Sequence, residues 1–161
     1  MTEILANPQF QIFLQLLLAT ILGGLVGLER EYKRKEAGLR TYSLVSLGAA
    51  LFTIISFQIF NFYIGKPGVS FDPSRIVGQI VLGIGFLGAG LIIFRGFRIE
   101  GLTTAAGLWV VAAIGVTVGI GLYFLAILVA FLALLILAGL RLAEEKFFES
   151  EGPEETEPER K

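Results

Sequence analysis

Four charged blocks cut the chain into apolar stretches too long for a water-soluble domain of this size to bury. Residues 10–28, 41–64 and 76–94 hold no Asp, Glu, Lys or Arg, and none occurs between Glu100 and Arg141. An α-helix rises about 1.5 Å per residue, so about 20 apolar residues cross a hydrocarbon layer roughly 30 Å thick. Each of the first three stretches suits one pass. The fourth, as a single helix, would be about twice the membrane core. It divides naturally near Gly119-Ile120-Gly121, giving spans near 103–118 and 122–140. The predicted fold is all-α, an integral membrane bundle of about five transmembrane helices.

Composition agrees. The 161 residues are 55% hydrophobic and only 17% charged, with a mean hydropathy of +0.77. Residues 1–140 are predicted to form one transmembrane domain, and 141–161, rich in Glu with Pro153 and Pro158, an acidic, largely disordered cytoplasmic tail after a short helical continuation through Phe148. Five passes put Arg30, Lys33, Arg34, Lys35, Arg40, Arg95, Arg98, Arg141, Lys146, Arg160 and Lys161 on one side, against Lys66 and Arg75 on the other. The expected orientation therefore has the N-terminus outside and the C-terminus cytoplasmic. Before the first apolar run stands Glu3 with no Lys or Arg, so a cleaved signal peptide is not expected.

The chain contains no Cys and no His, which removes thiolate chemistry, imidazole bases and the usual transition-metal ligands. There is no Walker A pattern and no nucleophile with an evident base, so an enzyme is not expected, and neither is a cofactor or a nucleic-acid partner. No ionisable residue lies in the middle of a span, where ion-coupled transporters commonly place one. A conduction path would rest on Gln79, Thr53, Ser56, Thr117 and backbone carbonyls.

Gly83-Ile84-Gly85-Phe86-Leu87-Gly88-Ala89-Gly90 contains GxGxxG, but a dinucleotide site needs those glycines between a strand and a helix, not within a span. Close helix packing is favoured, since Gly23/Gly27, Gly85/Ala89 and Gly115/Gly119 share the small-xxx-small spacing. A bend lining a polar cavity is the alternative. Glu29 and Arg30 stand where the first span meets a polar loop over 29–40, and Arg40 and Thr41 where the second begins. They are either solvated interfacial anchors or ion pairs across the hairpin and with the Arg95–Glu100 turn. Asp72-Pro73 before Arg75 reads as a helix cap.

Gly27-Leu28-Glu29-Arg30-Glu31, Ala37-Gly38-Leu39-Arg40-Thr41, Ser74-Arg75-Ile76 with Gln79, the glycine run 83–90, and Gly101-Leu102-Thr103-Thr104-Ala105-Ala106 with Trp109 follow one another from the first span to the fourth. In that order they resemble the MgtC/SapB family of bacterial membrane proteins. The resemblance implies a multi-pass inner-membrane protein tied to growth at low magnesium and membrane ion homeostasis, with the F-type ATP synthase as a possible partner. It maps functional positions, without individual roles, onto Glu29, Arg30, Gly38, Arg40, Thr41, Arg75, Gln79, Gly83, Gly85, Gly88, Gly90, Thr103 and Thr104. Fuller members carry a soluble domain after the membrane part, where this chain has only the acidic tail. Two functions follow as expectations: a regulator acting through a membrane partner, or a small homo-oligomeric transporter or channel for a divalent cation such as magnesium.

Overall fold

A computed structural model describes residues 7–67 and 71–140; the expectations for the first six residues and for 141–161 lie outside them. The first helix, α1 (Pro8–Tyr32), starts where Asn7 accepts a hydrogen bond from the Gln9 amide at 2.9 Å and Pro8 needs no amide partner. Helix α2 (Leu39–Tyr63) follows a tight loop. Helix α3 (Pro73–Leu91) begins as predicted, with the Asp72 carboxylate accepting from the Ser74 amide at 2.9 Å and Pro73 in the first turn. Helix α4 (Leu102–Gly119) ends at a reversal in which Gly121 takes φ +85°, a conformation that suits glycine. Helix α5 (Tyr123–Leu134) runs on as a π-helical turn over Leu135–Leu140. Among the described residues, five helical segments are long and apolar enough to cross a membrane.

Two boundaries differ from expectation. Helix α1 runs on through Glu29, Arg30 and Glu31, so the polar loop is shorter than 29–40; these side chains find partners at the helix end and need not leave it. The third span stops at Leu91, and Ile93–Arg95 (β1) pairs antiparallel with Arg98–Glu100 (β2). The run Ile92-Ile93-Phe94 favours extended backbone, and Gly96, at φ +61°, opens the two-residue turn.

Glycine sets the packing. In lipid, helices gain little from hydrophobic burial against each other, so close backbone approach carries the association. A Cβ on Gly27 would meet the Tyr42 Cβ at 2.7 Å and the Leu39 Cα at 2.9 Å; one on Gly119 would meet the Thr53 Cβ at 2.8 Å. Helices α1, α2 and α4 thus close on each other around Val26, Tyr42, Ala50, Val111, Ile114 and Val118. Helix α3 is different: only 6% of its apolar window is buried, against 44% for α4. Gly83, Gly85 and Gly90 have no neighbour within 4 Å of where a Cβ would stand, and only Gly88 packs, against Ala105 at 3.4 Å. The small-residue pairs at 23/27 and 115/119 therefore pack within the chain, whereas the expected packing of Gly85/Ala89 is not found there. Nor is α3 broken or unwound at the glycine run; it is one uninterrupted helix.

The Asp72 cap carries a first prediction. Asp72→Ala should speed amide hydrogen exchange in the first turn of α3 while Asp72→Asn leaves it nearly unchanged, because Asn caps as well as Asp. Equal exchange in both variants would contradict the cap.

Candidate functional site

At the end of the bundle that carries the α1–α2 loop, polar side chains from three segments converge. The last turn of α1 brings Glu29 and Arg30, the loop brings Glu36, and the first turn of α4 brings Thr104. Arg30 is 4% exposed. Its Nη2 donates to Thr104 Oγ1 at 2.8 Å, and that hydroxyl donates in turn to Glu36 Oε2 at 2.6 Å. Thr104 is thus a relay between a buried guanidinium and a carboxylate at the surface. Glu29 Oε2 lies 3.8 Å from Arg30 Nη1, close enough for charge compensation but too far for a hydrogen bond. Both Glu29 oxygens and Arg30 Nε are buried with no hydrogen-bond partner. Such a carboxylate depends on its guanidinium neighbour.

Two further contacts hold this arrangement from outside it. Tyr42, fully buried on α2, donates its hydroxyl to the Thr104 carbonyl at 3.1 Å. It does so by lying across Gly107, where any Cβ would run into the phenol oxygen. Glu31 accepts from the Leu39 amide at 2.8 Å, so a carboxylate at the end of α1 satisfies one of the free amides opening α2. Gly38 leaves room for that carboxylate, since a Cβ there would stand 3.0 Å from the Glu31 Cδ.

The hydrogen bond from Thr104 holds the Glu36 carboxyl below the usual carboxylate range, helped by its own amide and, against the opposing effect of burial, by the Lys35 and Arg30 charges. A depressed folded-state pKa means the stabilisation is complete above the unfolded value, about 4.3 for Glu. It is lost as pH falls through the lower folded value. Thr104→Val should reduce this pH dependence, since the Thr104 hydroxyl is its largest source, and Thr104→Ser retain it, as read from unfolding midpoints at pH 7 and pH 3. A Thr104→Val protein with unchanged acid sensitivity would show that the relay is not its source.

Of the residues singled out in the sequence, Glu29, Arg30, Gly38 and Thr104 come together here. Arg40, Thr41 and Thr103 lie exposed at neighbouring helix starts, and Arg75, Gln79, Gly83, Gly85 and Gly90 lie exposed along α3. The hydroxyls considered for a conduction path do not share one. Thr53 and Thr117 donate to the Ala49 and Ala113 carbonyls of their own helices at 2.7 Å each, and Ser56 donates to the Pro73 carbonyl at 3.1 Å.

The model of the MgtC family matches residues 16–146, a range that takes in every residue of this cluster. The chain belongs to the MgtC family. Among curated relatives, this MgtC-family protein is 46% identical over 127 residues to the "Putative magnesium transporter YhiD" of Escherichia coli K12, covering 79% of the chain and 59% of the relative. It is 50% identical over 104 residues to "Protein MgtC" of Brucella abortus, covering 65% of the chain and 40% of that protein. Against "Protein MgtC" of Salmonella typhimurium it is 47% identical over 112 residues, covering 70% and 45%. The chain thus spans well under two thirds of these relatives' length. No solved structure matches it.

Glu31, Glu36, Tyr42 and Gly107 were not among the predicted site residues. Tyr42 and Gly107 carry no local signal, because their contact spans two helices. Glu31 and Glu36 stood in the charged block, where nothing separates a bonded carboxylate from a solvated one.

Proposed function

We propose that this MgtC-family protein sits in the bacterial inner membrane and regulates adaptation to low magnesium and membrane ion homeostasis by contact with a membrane partner. The observation carrying this is the closed interior. Helices α1, α2 and α4 meet through glycines at backbone distance, and the buried hydroxyls of Thr53 and Ser56 are turned onto backbone carbonyls. The buried guanidinium of Arg30 and its partners lie at one end, where they join the α1–α2 loop to α4. That is the design of a latch more than of a pore.

The donor set supports the same view. Mg²⁺ is held octahedrally by carboxylates and waters. Here Glu29 and Glu36 are both engaged with the Arg30–Thr104 pair, and among the described residues no three acidic, His or Cys side chains converge. The F-type ATP synthase is the first partner to test. The alternative, a small homo-oligomeric transporter or channel for a divalent cation, draws on the name of the E. coli relative. Its path would have to run between copies.

A strain lacking the gene should grow slowly in low magnesium and recover with the wild-type chain but not with Thr104→Val. The purified chain should retain a membrane complex in mild detergent. Normal growth of the deletion strain together with an empty pull-down would overturn the regulatory function.

A further inference from the structure

Helix α3 presents to the bilayer a face that no part of the described chain covers, and that face carries an amide. Gln79 is exposed on α3 and is the one amide among the apolar residues that follow Arg75, and no described residue bonds to its side chain. Gly83, Phe86 and Gly90 follow it at intervals of four, three and four residues, the spacing of a helix–helix seam. Gly83 and Gly90 have open space at Cβ, and Phe86 is 80% exposed. Beside the seam runs a groove of about 620 Å³ between α2 and α3. It is lined by Thr41, Gly48 and Phe52 on one side and Gln79, Gly83 and Leu87 on the other. Gly48, like Gly83, has nothing within 4 Å of its Cβ position.

We propose that this groove is filled by α3 of a second copy of the chain, with the two Gln79 side chains hydrogen-bonded to each other across a two-fold axis. The amide decides the occupant. Lipid tails offer no donor or acceptor, so a Gln facing them leaves polar atoms unsatisfied in hydrocarbon. Two copies inserted in the same orientation and forming a closed pair are related by a two-fold axis along the membrane normal. Two α3 helices so related run parallel, and each seam residue meets its own counterpart at the same depth. Gln is suited to meeting itself, because its amide both donates and accepts. Glycines at 83 and 90 let the backbones approach closely enough for the pair to form. Arg75 lies one turn nearer the membrane surface, where two guanidiniums can turn to water.

The inference stands apart from the regulatory function, since a transporter built from the same chain would use the same interface. It is tested directly because the chain has no native Cys. Gly83→Cys, oxidised in native membranes, should yield a covalent dimer. Val81→Cys, exposed on the opposite flank of α3, should not. Adding Gln79→Leu to Gly83→Cys should weaken dimerisation roughly 3- to 30-fold, the range of a hydrogen-bonded pair between membrane helices. The fold of each variant is checked by its unfolding midpoint in detergent. A folded Gly83→Cys protein that stays monomeric, as it would with lipid or another protein in the groove, overturns the proposal. So does equal cross-linking through Val81→Cys, or cross-linking indifferent to Gln79→Leu.

Discussion

Arg30→Met should destabilise the protein by about 3–5 kcal/mol, the cost of breaking a buried ion pair by removing one partner. The guanidinium is the charge facing Glu29, whose side chain is 12% exposed and whose oxygens accept no hydrogen bond. It is also the donor to Thr104, so its loss frees both the carboxylate and the relay that reaches Glu36. Methionine keeps the length and apolar stem, which isolates the charge. Denaturant unfolding in mild detergent measures the effect. Adding Glu29→Gln should restore a large part of the loss, because it removes the uncompensated charge that Arg30→Met creates. If the double variant is no more stable than Arg30→Met alone, the charge pairing is not what holds this end of the bundle together.

Gly115→Val should be comparably damaging for a different reason. A Cβ at 115 would run into the Ser46 carbonyl oxygen and stand 3.0 Å from the Ala49 Cβ. The obstacle is backbone, which cannot rotate away as a side chain can. Overpacking typically costs about 1–3 kcal/mol, and a rigid contact at the α2–α4 seam belongs at the upper end. Gly85→Val, on the open flank of α3, should leave unfolding nearly unchanged. The yield of monodisperse protein and the unfolding midpoint distinguish the two. Equal tolerance at both positions would contradict the distinction between a closed α1–α2–α4 core and an open α3.

That distinction was only half legible in the sequence. The helix count could be read because charge cannot lie in hydrocarbon, and the reversal near Gly121 because one helix could not hold so long an apolar stretch. The Asp72 cap was legible because capping is local. The glycines were not: Gly115 and Gly85 share the same spacing motif, yet one meets a backbone carbonyl and the other meets nothing. Spacing reports which residues share a face, not what that face meets.

The site shows the same limit. Glu29 and Arg30 stood out as charges at a span boundary, but whether they were solvated or paired depended on Thr104, 74 residues beyond Arg30. Arg40 looked equivalent in sequence and lies exposed outside the cluster. What separates them is which side of its helix each residue occupies: Arg30 shares the side of α1 on which Gly27 meets α2, and Arg40 faces outward.

The proposed action by contact rests on a closed α1–α2–α4 core with the Arg30–Thr104–Glu36 latch at one end. Magnesium flux into vesicles reconstituted with the purified chain, followed by a trapped magnesium-sensitive dye, tests it most directly. The account predicts uptake no faster than in protein-free vesicles, with Thr104→Val indistinguishable from wild type. Magnesium uptake that scales with the amount of wild-type protein and falls in the Thr104→Val variant would contradict it.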